Sequence, residues 1–353
     1  MVKDGLGQLG GIIFASRYGQ SFDEDIKRWR VMSMTALNIA IYIEIMTLAF
    51  PQHFLFLASS ANAAKNICFL TAAASRASIN NKFAKRNNIG DIVGKATSQF
   101  TTTSLIGMAL GSALSQVINI SSIPQLMPTF LVLSTINLYC NGMSSRLVDE
   151  DSFNNQRANL FFKEFLETGE IPEMKEINKK EYIFLPNLLN KEVCKYIRFG
   201  EHSISQVLTT GQPNYFATSM LHQLAKDERQ FAYHITLLPR WKRPFRYLLN
   251  NNRHYVIHLN MRKGATSEDQ LYAYYFARLL DLSLQKMYAD TDSRVSYHTV
   301  EKAIREAEWQ FAEVNMDEWL QRLIEKEWKP TLVYLDKKRN RYTSTLEHVE
   351  EVQ

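Results

Sequence analysis

Residues 96–145 have the sequence ATSQFTTTSLIGMALGSALSQVINISSIPQLMPTFLVLSTINLYCNGMSS, fifty residues without aspartate, glutamate, lysine or arginine. Two apolar arms flank a proline-containing break at residues 123–128, and each arm would be roughly 30 Å long as a helix. That length matches the hydrocarbon thickness of a bilayer, and a surface helix of a soluble domain needs a polar face that this stretch does not have. The stretch therefore predicts a helical hairpin surrounded by lipid or by other protein, with a buried helix pair in a large soluble bundle as the alternative.

Small residues in the first arm indicate a surface for helix packing. Gly107 and Gly111 lie four residues apart, which is the spacing of one face of a helix. In membranes such a face allows close approach of a second helix, because lipid gives apolar side chains no preference for one another. We therefore expect Gly107 and Gly111 to contact another helix.

A second pair of apolar runs covers residues 31–50 and 54–74, with Pro51 between them. Glu44 and Lys65 are charges inside these runs, and a charge at the centre of a bilayer costs about 2.5–3.5 kcal/mol on insertion scales. Two regular helices would carry them at depths about 10 Å apart, so we expect no direct ion pair. Basic residues flank the runs on one side only, at 27–30, 76–95 and 146, which is the positive-inside pattern of four membrane-associated helices.

The charged residues divide the chain into two halves. Residues 1–150 contain 12 of the 41 Lys and Arg residues and 8 of the 36 Asp and Glu residues. We therefore predict an α-helical, membrane-associated bundle at 1–148, a smaller charged α+β domain at 149–345, and a polar tail at 346–353. The net charge of +5 is not concentrated in a stripe, which argues against nucleic acid as a partner.

The predicted α+β domain contains alternating segments and one strong helix start. Residues 231–238 and 255–260 alternate enough to be strands, and Ser267 with Gln270 fits a capping box for a helix that runs to about residue 288. The densest basic and aromatic cluster is the segment that contains Arg240, Trp241, Lys242 and Arg243. This segment is interpreted as an exposed loop or partner contact, or as a contact with phosphate-bearing lipid headgroups.

A G-x-G-x-x-G motif is formed by Gly5, Gly7 and Gly10, followed by Gly11. A dinucleotide-binding motif needs a strand just before it, and only four residues precede Gly5. The better interpretation is a glycine-lined helix or turn against which another element packs. Because no nucleophile, metal-ligand or phosphate-loop motif is present, we expect neither catalytic residues nor a cofactor.

Several motifs, in order and spacing, resemble the root UV-B sensitive family of plants, animals and protists. They are KDGLGQLGG at 3–11, the Asp23–Arg30 segment, NIGDIVGKATSQ at 88–99, FNNQRA at 153–158 and the segment from TGEIP at 168–172 to Glu181. The polar residues of these motifs that we select as candidate site residues are Asp91, Lys95, Gln99, Asn155 and Arg157. The similarity covers roughly residues 3–185.

This resemblance implies a mainly helical, membrane-associated protein of plastids or mitochondria that acts with partner proteins, and it implies no catalytic residues. Plant members are named for a root light response and are connected with vitamin B6 status. Family members also carry a long segment before the first motif, so we expect this chain to be truncated or to function without that segment.

Taken together, the sequence predicts a non-enzymatic scaffold or accessory protein in an organelle membrane, with the mitochondrial inner membrane favoured over the plastid. The expected partners are membrane lipid and other membrane or organellar proteins, either as a subunit of a larger complex or with a family paralogue. The alternative is a membrane carrier or channel for a small metabolite, with Glu44 and Lys65 among its polar residues.

Overall fold

The computed structural model describes residues 2–19, 22–85, 88–118, 122–184, 194, 196–199, 233–239, 255–288 and 297–336. The chain divides into two compact units. The N-terminal unit comprises Met1–Val148 together with Ile183–Pro186, and the C-terminal unit comprises Asp149–Tyr182 together with Asn187–Gln353. The fold is mostly helical, with a small sheet in the C-terminal unit.

Five helices build the described part of the N-terminal unit: α1 (Val2–Tyr18), α2 (Ile26–Ile45), α3 (Phe54–Phe83), α4 (Ile89–Val117) and α5 (Ile123–Arg146). Two 3-10 turns, Met46–Leu48 and Pro51–His53, connect α2 to α3. Helix α3 packs against both α1 and α2. The first predicted hairpin is therefore present, with Pro51 in its connection.

The second predicted hairpin is not formed, because α5 packs against α2, and α4 makes its main helix contact with α3. The proline-containing segment is also not a break, since it forms the first turns of α5. Pro124 is tolerated there because the first N–H groups of a helix have no intrahelical acceptor. Pro128 leaves only the carbonyl group four residues earlier without a donor.

Five helices and three strands form the described part of the C-terminal unit. The helices are α6 (Asn155–Thr168), α7 (Met174–Lys180), α8 (Ser267–Tyr288), α9 (Tyr297–Ala312) and α10 (Met316–Glu325), and the strands are β1 (Ile197–Phe199), β2 (Tyr233–Pro239) and β3 (Tyr255–Met261). The strand order is β1-β3-β2, with β1 parallel and β2 antiparallel to β3. Ile257 lies opposite Ile197 on one side and Leu237 on the other.

The start of α8 differs in detail from the prediction. The capping box consists of Thr266 and Asp269, whose side chains each accept a hydrogen bond from the backbone N–H of the other. Gln270, which was expected in this role, instead accepts a hydrogen bond from the backbone of Asp336. The capping box therefore lies one residue earlier than predicted. Both pairs of residues have the three-residue spacing of the motif, so the spacing alone does not choose between them.

A large hydrophobic core belongs entirely to the C-terminal unit. Aromatic rings form its centre, where Phe153 stacks on Trp328 at 4.5 Å and Phe162 stacks on Trp319 at 6.0 Å. The indole N–H of Trp328 donates to the carbonyl group of Pro172 at 3.0 Å, so this buried ring is also satisfied as a donor. This unit therefore has the interior of an ordinary water-soluble domain.

Candidate functional site

The outer surface of the N-terminal unit is strongly apolar. Among the described residues, all but three of the exposed large hydrophobic side chains belong to this unit, the exceptions being Tyr182, Trp309 and Ile324. On α4 no residue is buried, and Leu110 is 66% exposed. On α5, Leu133 is 50% exposed near the middle of the helix. Contiguous apolar surface of this kind marks a site that contacts a membrane or a protein partner.

Many of the buried side chains of the same unit are small or polar, although Phe22, Ile26, Val31 and Ile45 are buried as well. Ala40, Ala61 and Ala72 are buried between the helices, together with Asn38 and Ser75. The polar groups bond to their own helices: Ser75 Oγ donates to the carbonyl of Thr71 at 2.8 Å, and the Asn38 amide donates to that of Met34 at 2.9 Å. Small residues between helices, with polar groups satisfied locally, are typical of helix packing within a membrane.

Glu44 and Lys65 form an ion pair across the α2–α3 hairpin, with Lys65 Nζ 2.7 Å from Glu44 Oε2. The expectation that they would not pair directly is wrong. It assumed regular helices up to Pro51, whereas α2 ends at Ile45 and the chain continues in two 3-10 turns. The flexible four-carbon stem of lysine covers the remaining difference in depth. Both side chains stay partly exposed.

The predicted glycine contacts occur in α1 and are absent from α4. A Cβ atom added to Gly11 would lie 2.7 Å from Leu70 Cδ1, and one added to Gly10 would lie 3.9 Å from Ala63 Cβ, so both glycines face α3. Gly5 and Gly7 lie in the same continuous helix, so the motif is not the strand–turn–helix of a dinucleotide site. A Cβ atom added to Gly107 or Gly111 would have no atom of another element within 4 Å in the described part of the chain.

Two helical segments, Ile26–Leu48 and Ile123–Arg146, are long and apolar enough to cross a bilayer. They pack against each other in antiparallel orientation, since the Asn141 amide approaches the carbonyl group of Arg30 at 3.5 Å and the rings of Tyr42 and Phe130 meet at 4.7 Å. Length and composition alone are weak evidence for a membrane span, since core helices of soluble proteins also meet these criteria. Only 6% of the second segment is buried, which is unlike a soluble core helix.

Residues 1–169 match the family model described as the vitamin B6 photo-protection and homoeostasis domain. Residues 1–169 thus carry the domain of the root UV-B sensitive family. The matched region covers α1 to α5 and ends at Gly169, the left-handed residue that terminates α6. No solved structure is similar to the chain.

Relatives in this family match different lengths of the chain. RUS family member 1 of Dictyostelium discoideum is 35% identical over 52% of this chain and 35% of its own length. Protein root UVB sensitive 6 of Arabidopsis thaliana is 33% identical over 52% of the chain and 36% of its own length. Protein root UVB sensitive 5 of the same plant is 25% identical over 88% of the chain and 57% of its own length, so its similarity continues into the C-terminal unit. The chain thus spans between about a third and somewhat more than half of these relatives.

In the α4 motif of the root UV-B sensitive family, the polar side chains are exposed. Lys95 Nζ lies 2.9 Å from Asp91 Oδ2, one helical turn away, and both side chains are more than half exposed. Gln99 is exposed one turn later. Such a solvent-exposed pair stabilises a helix by only about 0.3–0.5 kcal/mol. These residues are therefore accessible for contact with another molecule and contribute little to the fold.

In the FNNQRA motif, by contrast, Arg157 is fully buried in a polar network. Its guanidinium donates to Glu181 Oε1 at 2.8 Å, to the carbonyl group of Ser152 at 2.7 Å and to Ser152 Oγ at 3.0 Å. The buried carboxylate of Glu150 lies 4.0 Å away, and Asn155 is the first residue of α6. Arg157 thus has a structural role that connects two family motifs.

A second buried polar cluster surrounds Arg278 on α8, and the sequence analysis did not identify it. Arg278 donates to Asn159 Oδ1 at 3.3 Å and to the hydroxyl of Tyr196, and it lies 3.9 Å from Asp281. Burial raises the pKa of the nearby Cys194 thiol, which keeps it protonated and poorly nucleophilic. The available signal was an Arg and an Asp three residues apart within the apolar sequence of this helix.

The described residues contain no group of three or more His, Cys, Asp or Glu side chains that could hold a metal ion. The basic segment that contains Arg240, Trp241, Lys242 and Arg243 lies outside the described residues. The described part of the N-terminal unit thus presents exposed apolar helices, and the polar clusters around Arg157 and Arg278 in the C-terminal unit are buried within its core.

Proposed function

We propose that this root UV-B sensitive family protein is a non-enzymatic scaffold or accessory protein of an organelle membrane. Its N-terminal unit is embedded in lipid and its C-terminal unit stays in water, where it binds partner proteins. The observation that carries this proposal is the exposure of large apolar side chains along α3, α4 and α5, next to helix interfaces in which alanine, serine and asparagine are buried. A bilayer stabilises that arrangement, whereas water opposes it.

The positions of the basic residues support the same proposal. Arg30 on α2, Arg76 and Lys82 on α3, and Arg146 on α5 all lie toward one end of the antiparallel helices. From Arg30, α2 continues for about 22 Å to Ile45, and the following 3-10 turn extends the apolar segment toward Phe50, so its length is comparable with the hydrocarbon thickness of a bilayer. Aromatic rings lie beside the basic end, with Trp29 5.1 Å from Phe22 and 6.2 Å from Tyr18. Aromatic and cationic residues are enriched at membrane interfaces.

Protein partners in the membrane are proposed because α4 has no buried residue and its glycine face is open. A helix of another membrane protein, such as a family paralogue or a subunit of a larger complex, would fit against Gly107 and Gly111. Replacing both glycines with leucine should weaken co-purification of partners in mild detergent, with Gly90→Leu near the start of α4 as the control. Unchanged co-purification would contradict this role.

A carrier or channel for a small metabolite is the second candidate, and the Glu44–Lys65 pair favours it. Glu44 lies about 21 Å along α2 from Arg30, near the uncharged end of the helix, and charged residues within a membrane often mark transport pathways. The accessory role has better support because the polar groups at this level bind one another. Glu44 pairs with Lys65, and the Asn66 amide donates to the carbonyl group of Asn62 at 3.0 Å.

Alkaline carbonate extraction of organelle membranes tests the main proposal. We expect the full chain to stay in the pellet with an integral marker protein, while a peripheral marker is released into the supernatant. Release of the chain would exclude an embedded N-terminal unit. Fractionation of a tagged chain tests the organelle, for which we prefer the mitochondrial inner membrane, and the name of one relative, protein root UVB sensitive 2, chloroplastic, makes the plastid the alternative.

A further inference from the structure

Two arginines meet at the basic end of the N-terminal unit. Arg30 is near the start of α2 and Arg76 is near the end of α3, and the two helices pack against each other. The Glu44–Lys65 and Asp23–Ser78 contacts, one on each side of them along the helix pair, place Arg30 and Arg76 at a similar level, where their like charges repel. Both are partly buried, and the guanidinium carbon of Arg76 lies 4.4 Å from the centre of the Phe100 ring on α4. A pair of like charges, partly removed from water, is unfavourable unless an anion joins it.

The nearest carboxylates are engaged elsewhere. Asp25 Oδ2 lies 2.9 Å from Arg28 Nη1, and Asp23 Oδ1 accepts a hydrogen bond from Ser78 Oγ at 2.7 Å. In the described residues of this unit, neither Arg30 nor Arg76 has a carboxylate within ion-pair distance. The charge of the two arginines is therefore not neutralised by the described side chains.

The other acidic residues of the unit are also engaged elsewhere or distant, and Glu24 is among the residues that already have an interaction partner. Glu44 binds Lys65 and Asp91 binds Lys95. Asp4 is in the first turn of α1, about 21 Å along the helix from Tyr18, whose ring contacts Trp29 beside Arg30. Residues 1, 20–21, 86–87, 119–121 and 185–186, which complete the unit, include no Asp or Glu. None of these carboxylates binds the two arginines, and an external anion would compensate their charge.

We propose that Arg30 and Arg76 form a binding site for a phosphate group. Guanidinium groups bind phosphate oxygens through paired, charge-assisted hydrogen bonds, and two arginines together match the charge of a phosphate monoester. The guanidinium carbon of Arg76 lies over the Phe100 ring, and this cation–π contact leaves the N–H groups of the guanidinium available as donors. The phosphate belongs either to a phospholipid headgroup or to a soluble phosphate compound.

The test uses the full chain in phosphate-free neutral detergent and measures its thermal unfolding temperature. One arm adds inorganic phosphate against chloride at equal ionic strength, and the other adds phosphatidic acid against diacylglycerol, which has the same chains without the phosphate. A ligand that binds only the folded state raises the unfolding temperature as its concentration rises. Protection by phosphatidic acid alone identifies a headgroup site, and protection by both probes identifies a site open to soluble phosphates.

Matched variants distinguish phosphate binding at Arg30 and Arg76 from nonspecific attraction of phosphate to other basic residues. Arg30→Gln and Arg76→Gln should each weaken the binding of the effective probe by about tenfold or more, because each removes charge-assisted hydrogen bonds. Lys85→Gln removes the same charge from an exposed position at the same end and should leave binding unchanged. Equal protection by diacylglycerol, or wild-type affinity in Arg30→Gln and Arg76→Gln, would overturn the proposal.

A measurement without any phosphate excludes a merely structural role. If the arginines form a ligand site, Arg76→Gln should unfold at the same or a higher temperature than the wild type, because it relieves the repulsion of Arg30. A large fall in the unfolding temperature would show that Arg76 serves the fold, and would count against the site. Arg30→Lys and Arg76→Lys keep the charge without the planar fork, so weaker phosphate protection in these variants is also expected. The inorganic phosphate arm needs no membrane, so its outcome is independent of the carbonate extraction.

Discussion

The N-terminal unit exposes many large apolar side chains and buries alanine, serine and asparagine between its helices, whereas the C-terminal unit encloses a large aromatic and aliphatic core. Ala61 and Ser75 are buried in the first unit, in contrast to Phe161 and Trp328 in the second. The two units of one chain therefore place their apolar side chains differently. Water favours the buried core of the C-terminal unit, whereas an apolar surrounding would stabilise the exposed apolar side chains of the N-terminal unit.

The ion pairs of the two units show the same difference. The side chains of Arg157 and Glu181 are fully buried, and Arg157 also donates hydrogen bonds to the carbonyl group and the hydroxyl of Ser152. Glu44 and Lys65 are partly exposed on the surface of two packed helices. The first pair is thus part of a core, and the second lies where lipid would surround it.

The largest effect is expected in the C-terminal unit from Arg157→Met. It removes the positive charge between two buried carboxylates and should lower the free energy of unfolding of this unit by about 3–5 kcal/mol. Denaturant unfolding followed by the fluorescence of Trp319 and Trp328 would measure it. Lys180→Gln breaks an exposed pair with Glu164 and should cost no more than about 1 kcal/mol. Equal costs would mean that the buried network is not what stabilises this unit.

A smaller effect is expected in the N-terminal unit from Leu133→Asp. Leu133 is exposed near the middle of α5, so the change should cost about 2.5–3.5 kcal/mol if lipid surrounds it and little if water does. The fraction of the chain that resists carbonate extraction should therefore fall. Ser144→Asp, at an exposed site near the end of the same helix, is the control. A fully retained Leu133→Asp chain would remove the proposed contrast between the two units.

The smallest effect concerns alkaline pH and the C-terminal unit. Burial and nearby acidic residues, including Glu268, raise the pKa of Tyr272 to about 12, compared with about 10 in an unfolded chain. The folded state therefore holds this proton more tightly, so its contribution to stability is complete below about pH 10 and is lost as the pH rises through 12. The denaturant midpoint of Tyr272→Phe should fall less between pH 9 and 11 than that of the wild type. Tyr182→Phe, an exposed site, should follow the wild type, and identical slopes for all three chains would refute the assignment.

Local patterns predicted much of the helical architecture. The first hairpin, the helix that begins near Ser267 and the strand that begins at Tyr255 follow from periodicity and turn residues. The partner of α5 did not follow, because apolar segments of similar composition pair through shape that periodicity does not encode. The Glu44–Lys65 contact was missed for a similar reason, since it depends on the 3-10 turns between the helices.

The roles of individual polar residues were less predictable. The resemblance singled out Arg157 without revealing whether it faces a ligand or a core, and only the positions of Glu150 and Glu181 decide this. Arg30 and Arg76 are 46 positions apart in sequence, and their meeting depends on the antiparallel packing of α2 and α3. Charge patterning in the sequence indicated which end of the unit is basic. It could not indicate that these two guanidinium groups lie near one another, because that depends on how the helices pack.

The unequal lengths of α2 and α3 have a consequence for the choice of membrane. Helix α2 has 20 residues, or about 30 Å, and α3 has 30 residues, or about 45 Å. In the proposed orientation, α2 would be the first helix to become too short for the hydrocarbon layer of a thicker bilayer. Helix α3 would still extend past the headgroups, with Lys82 in water. Membranes differ in thickness by several ångströms, and mismatch costs fractions of a kcal/mol per ångström. The length of α2 would thus favour insertion of the chain into thinner membranes.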